Sequence, residues 1–278
     1  MIKRLESLIG LILVFVSGYS FSTYPLNTKE KINVSTTILP YAGIIENIGK
    51  DKVNVTVLVP PGAEPHTYEP KPSQIKEISK SIAYFKVGTK IEFENLYLEK
   101  IAKLNRNMKI YDTSKGIDLI ENDPHIWNSL KNIKIISLNI LNGLCEVDKK
   151  NAKSYQENYE MYIKKIEEVH NEILQELKYK AGKQFIVFHP AFGYFARDYG
   201  LIQIPIQLGE SEPGPKDITN LIKIAKEKKI KIVITEPEFS PKTAEIIAKE
   251  INGKVISIDP LSKDVIETAK KLKEALIE

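Results

Sequence analysis

Three of the chain's four histidines stand in short, proline-flanked turns: Glu64-Pro65-His66, Asp123-Pro124-His125 and Phe188-His189-Pro190. A fourth turn, Ile258-Asp259-Pro260, places an aspartate in the same setting. Three imidazoles and one carboxylate form a ligand set suited to zinc or a similar divalent cation. Taken singly, each has an ordinary explanation: an exposed loop histidine, a satisfied core histidine, a turn carboxylate. Their shared position is the stronger signal. At least three of the turns follow apolar runs, at 53–59, 185–188 and 255–258, which are short, β-branched or aromatic and bounded by Pro or Gly, as buried strands are. Open parallel sheets bind ligands just past the carboxyl ends of their strands.

Other polar groups cluster near these turns. Asp123 is placed to accept from the unbound ring nitrogen of His125, which would fix a metal-binding tautomer. Glu236 and Glu238 follow a further strand, and with Glu64 they are expected to orient ligands or offer a competing oxygen. Paired carboxylates also serve as acid and base in hydrolysis. No nucleophile elbow, phosphate loop or helical His-Glu-x-x-His pair accompanies them. His170 lies within a helical stretch and reads as a surface residue.

The elements that must position these groups read as alternating strands and helices, which implies parallel sheets. Strands are expected at 31–37, 53–59 and 82–87, with helices at 41–49, 73–79 and 92–103. From 149 to 180, apolar residues such as Tyr155, Tyr162, Ile166, Val169, Ile173 and Leu177 recur at three and four, with no interior Gly or Pro. That is one long amphipathic helix of roughly eight turns, a stiff strut between two blocks. The second block alternates strands at 185–188, 202–207, 231–235 and 255–258 with helices at 192–198, 216–228, 241–251 and 263–277. Pro205 assigns the strand at 202–207 to a sheet edge. The fold class is thus α/β, with two lobes (23–148 and 182–278), each a mostly parallel sheet flanked by helices, joined by one long rigid helix at 149–181.

A chain of 278 residues, 42% hydrophobic and 27% charged, is globular and long enough for two modest lobes. Residues 1–22 run from Lys3-Arg4 through an apolar stretch to small polar residues, the order of a secretory signal peptide or, uncleaved, an N-terminal anchor. Either places the remainder outside the cytoplasm. A formal charge of +4, spread over solvated helix faces, excludes a nucleic-acid partner. The single cysteine, Cys145, cannot close an internal disulfide and follows no lipid-attachment pattern.

Together these segments resemble the zinc and manganese family of substrate-binding proteins that serve ABC importers. The resemblance rests on 62–70 (Gly-Ala-Glu-Pro-His-Thr-Tyr-Glu-Pro), 123–127 (Asp-Pro-His-Ile-Trp), 188–195 (Phe-His-Pro-Ala-Phe-Gly-Tyr-Phe) and 212–216 (Glu-Pro-Gly-Pro-Lys), and it covers nearly all of the chain after residue 22. It implies a cation held between two α/β lobes, with His66 and His125 from the first lobe and His189 and Asp259 from the second. Members that favour manganese tend to carry glutamate at the third histidine, so His189 points to zinc, with manganese as the other cargo. The chain lacks the histidine-rich acidic loop of many zinc-specific members, and Asn128-Ser129-Leu130 replaces their usual Leu-Asp-Pro. The implied activity is extracytoplasmic capture of Zn2+ or Mn2+ by a monomer and its delivery to an ABC permease, with no chemistry on the cargo. Two rivals are a secreted zinc-dependent hydrolase using Glu236 as base, and an adhesin or structural protein whose metal only stabilises the lobes.

Overall fold

The computed structural model describes residues 30–89, 91–180, 182–207, 209 and 213–277. The expected signal or anchor at 1–22, and Glu212 of the 212–216 motif, lie outside the described residues. In the first half, strand β1 (Ile32–Thr36) leads to helix α1 (Leu39–Gly49), and β2 (Val53–Val57) to α2 (Pro72–Ile78). Strand β3 (Ala83–Lys86) precedes α3 (Glu92–Leu104), and β4 (Lys109–Asp112) precedes α4 (Leu130–Val147). These four strands form one parallel sheet in the order β2-β1-β3-β4. The second half repeats that plan. Strands β5 (Gln184–Val187), β6 (Ile202–Pro205), β7 (Ile232–Thr235) and β8 (Lys254–Ser257) form a parallel sheet in the order β6-β5-β7-β8. Helices α6 (Gly193–Tyr199), α7 (Pro215–Glu227), α8 (Lys242–Glu250) and α9 (Val265–Ile277) accompany it.

Pro205 closes an edge strand, as its missing N–H requires. Strands bury alternate residues on opposite faces. Phe185 and Val187 of β5 accordingly join a large core shared with the first lobe, while Ile186 and Phe188 face a smaller core with Leu221, Val233 and Ile247.

Strand β4 and helix α4 have no counterpart in the sequence reading. The strand Lys-Ile-Tyr-Asp is short and charged at both ends. The helix is rich in β-branched Ile and in Asn, and it carries Gly143 in its interior, all poor helix formers. Packing overrides that propensity. A Cβ on Gly143 would lie 2.6 Å from the Phe85 ring and 3.0 Å from that of Tyr111, so glycine is what lets α4 lie against the sheet.

The long helix, α5, spans Ala152–Leu177 and tightens to 3-10 turns at 149–151 and 178–180. It is not a free strut. Its stripe of Tyr155, Tyr162, Ile166, Val169, Ile173 and Leu177 is buried in the core, and the helix packs against α1, α4 and α9. Lys273 of α9 reaches Glu172 and Glu176 of α5 at 2.7 and 3.3 Å. From Lys31 onward the chain coheres as one unit. His170 is half-buried, with Nδ1 2.9 Å from the Tyr199 hydroxyl, rather than on the surface as its sequence context implied. No helix of the described residues is long and apolar enough to cross a membrane.

Candidate metal centre

The two sheets present their strand ends to a common boundary, and loops from both cross it. Trp127 Nε1 donates to Pro260 O at 2.8 Å, and Asn128 Nδ2 donates to Ala191 O at 3.0 Å. Ser129 Oγ donates to the buried Asp198 carboxylate. Asn128 and Ser129 are two of the residues at which the sequence departs from the family pattern, and here they tie the lobes together.

At this boundary three imidazoles meet. His125 Nε2 lies 3.5 Å from His66 Nε2 and 3.1 Å from His189 Nε2, and the three candidate ligand atoms all fall within 4.8 Å of one another. Three nitrogens bound tetrahedrally to one zinc ion at ~2.1 Å stand about 3.4 Å apart, so this donor set fits such an ion. They line a cavity of about 20 Å³ with Glu64, Glu238 and Phe239, room for a single small occupant.

Each ring is aimed by a partner on its other nitrogen. His66 Nδ1 meets Glu92 Oε2 at 2.7 Å, His125 Nδ1 meets Asp123 Oδ1 at 2.8 Å, and His189 Nδ1 meets Gln207 Oε1 at 3.2 Å. An oxygen acceptor at Nδ1 places the proton there, turning each Nε2 lone pair to the common point. Backbone contacts reinforce the aim: Glu64 Oε1 accepts from His66 N, Asp123 Oδ1 from His125 N, and Glu236 Oε2 from His189 N. Phe239 stacks on the His189 ring at 5.5 Å and 20°.

Burial drives the electrostatics of the site. Desolvation, then the neighbouring His125, pushes the His189 imidazole down to about 4, so it is neutral near pH 7. Burial raises Glu92 as well, but its bond from His66, a backbone bond and the charges of His66 and His125 outweigh this and leave it below its ordinary value. Glu236 is 1% exposed, and its Oε1 has no hydrogen-bond partner among the described residues. Desolvation, with repulsion from Glu238 and Glu64, lifts it to about 8. Burial also raises Glu238, helped by Asp259 and Glu64.

Asp259 does not join the three histidines' group of mutually close ligand atoms among the described residues. Its Oδ1 accepts from Leu261 N at 2.7 Å, and it lines a neighbouring cavity that shares Glu238 and Leu261 with the histidine cavity. Burial raises its carboxyl above the ordinary value. Glu64 Oε1 is 4.0 Å from His66 Nε2. The anticipated role of Asp123 as the partner of His125 Nδ1 matches its position, whereas Glu92 and Gln207 were missed. Glu92 is far from His66 in sequence and has no local signature; Gln207 lies just past the end of β6, where the strand-end rule would have found it.

Comparison with known proteins gives the family. Residues 34–273 match the family model described as ZnuA, zinc-uptake complex component A, periplasmic. The chain belongs to this ZnuA family. Among curated ZnuA-type relatives, the high-affinity zinc uptake system protein ZnuA of Bacillus subtilis (strain 168) is 30% identical over 91% of this chain and 87% of its own. The manganese ABC transporter substrate-binding lipoprotein scaA of Streptococcus gordonii is 28% identical over 90% of this chain and 87% of its own. A crystal structure of ZnuA aligns with TM-score 0.84 and 38% identity over 89% of this chain and 98% of that one. These relatives are transport-associated binding proteins, and they give no support to the zinc-dependent hydrolase weighed from the sequence. Glu236, the base that reading required, accepts the His189 backbone N–H through Oε2 at 3.3 Å.

Proposed function

We propose that this chain captures a divalent transition-metal cation outside the cytoplasmic membrane, zinc in preference to manganese, and delivers it to an ABC permease. The observation that carries the reading is the convergence of three Nε2 lone pairs whose rings are each fixed through Nδ1. Metal binding competes with protons for imidazole. A His189 held to about 4 has no proton to lose at neutral pH. Nitrogen donors favour zinc over manganese at otherwise equal sites.

In this reading His66, His125 and His189 are ligands and a carboxylate completes the sphere. Asp259 is proposed for that place on its position past the end of β8, with Glu64 and Glu238 as the carboxylates that already line the histidine cavity. Four protein ligands leave no open position for a reacting water, so the cargo is held and no bond in it is made or broken. The export segment is 1–22, the lobes are 23–148 and 182–278 about the 149–181 helix, and the protein acts as a monomer. Because α5 is packed into both lobes, the proposed release uses local movement of the ligand loops rather than a wide hinge.

Calorimetric titration of chelator-stripped protein with zinc and, separately, manganese tests the reading, alongside His189→Ala, Asp259→Ala, Glu64→Ala and Glu238→Ala. One tight zinc site, weaker manganese binding, and loss in His189→Ala are expected. The carboxylate variant with the largest loss names the fourth ligand. Absence of tight binding to either ion overturns the site.

A further inference from the structure

Gly193 opens α6, and its backbone is not in the left-handed region that demands glycine. Alanine is the better helix former at such a position. The reason for glycine lies across the lobe boundary. A methyl there would overlap Asp123 Oδ2 and stand 3.1 Å from Gln203 Nε2. Gln203 has little freedom to yield: its Oε1 accepts from Phe192 N at 3.1 Å and its Nε2 donates to Pro190 O at 3.3 Å. Asp123 is therefore the group that would move.

That carboxylate is the one whose other oxygen holds both the backbone N–H and the Nδ1–H of His125, at 2.9 and 2.8 Å. The next residue of α6 grips the same loop. The Tyr194 hydroxyl donates to Asp123 O at 3.0 Å and accepts from Ile120 N at 2.9 Å. Asp123 and Gly193 both line an inter-lobe cleft of about 410 Å³, so a displaced carboxylate has space to enter.

We propose that Gly193 is a positioning residue for the cation site: by presenting no side chain, it lets the second lobe seat the Asp123 carboxylate that aims His125 of the first. The affinity of a first-lobe ligand then depends on how α6 of the second lobe docks. This inference rests on the reading of His125 as a ligand.

The test is a double-mutant cycle of Gly193→Ala and Asp123→Ala, with zinc as the titrant, thermal melts of the chelator-stripped proteins, and nitrogen-15 spectra of the His125 ring. Gly193→Ala is expected to lose about 10–100-fold in zinc affinity, the range for groups that orient a ligand, and to lose the single Nδ1–H tautomer of His125. Adding it to Asp123→Ala should cost nothing further, because the carboxylate it displaces is gone. Wild-type affinity and tautomer in Gly193→Ala, or a loss that adds in full to that of Asp123→Ala, overturns the inference. Should Gly193→Ala fail to fold, recovery of the fold in the double variant supports the clash at Asp123, and failure of both overturns it. His125→Ala separates the two readings: if it binds zinc like the wild type, the ligand assignment fails; if it does not, only the role of Gly193 is at issue.

Discussion

The two lobes share one strand order and use it differently. In the second lobe the site groups stand immediately past strand ends: His189 after β5, Gln207 after β6, Glu236 after β7 and Asp259 after β8. In the first, His66 and His125 sit far out on the long connections that follow β2 and β4. The place past β6 that Gln207 fills corresponds to the one past β2 whose loop carries His66. The supports differ accordingly. Both first-lobe histidines are aimed by carboxylates, Glu92 and Asp123, whereas His189 is aimed by a neutral amide and pressed down to about 4 by burial. The ligand just past a strand end is aimed by a neutral amide, whereas the two on long loops are aimed by carboxylates.

The largest effect expected is from the ligands themselves. His66→Ala, His125→Ala and His189→Ala should each weaken zinc binding by more than about 100-fold, above the range for orienting groups. A near-wild-type calorimetric isotherm for either first-lobe variant would break the two-lobe site.

Next come the supports. Asp123→Ala is expected to cost about 10–100-fold in zinc affinity, and Gln207→Ala only the lower end of that range, because a neutral amide adds less basicity to its imidazole than a carboxylate does. Competition titrations against a chromophoric chelator read both; a larger loss in Gln207→Ala reverses the comparison.

Buried groups of the second lobe should also set the pH dependence of the cation-free protein. His189 has a folded pKa of about 4, below its ordinary 6.5, so between those values the unfolded chain holds more protons and stability falls as pH falls. Glu236 is raised from 4.5 to about 8, so across that window the folded protein holds the extra proton and stability falls as pH rises. Where the windows overlap, from 4.5 to 6.5, the two oppose each other. Glu236→Gln removes the alkaline loss, on the order of 5 kcal/mol, and is expected to raise the melting temperature by several degrees at pH 8.5 with little change at pH 5. Equal shifts at both pH values would show that Glu236 carries no such burden.

The smallest effect is the most specific to the comparison. Gln207→Glu gives His189 the kind of partner its first-lobe counterparts have, and its titration, followed by proton NMR, should move up from about 4 toward 6.5. No movement would mean that burial alone governs the ring.

Local rules carried much of this protein. Turn prolines, the short apolar runs that became β2, β5 and β8, and the three-and-four spacing of α5 are properties of neighbouring residues, so the alternating α/β plan was legible, and the same local signals singled out His66, His189 and Asp259 after apolar runs and His125 by its proline turn. Helix α4 was not, because its Ile, Asn and Gly143 resist helix locally and only the rings of Phe85 and Tyr111 explain them. Tertiary structure alone paired Glu92 with His66, set Gln207 on His189 and brought Gly193 against Asp123. It also left Asp259 outside the histidine group and made the long joining helix α5 a core element as well. The physical reason is range. Periodicity and turn chemistry act over a few residues, while the partner of a ring nitrogen depends on where two loops from different lobes arrive, which only the packed chain decides.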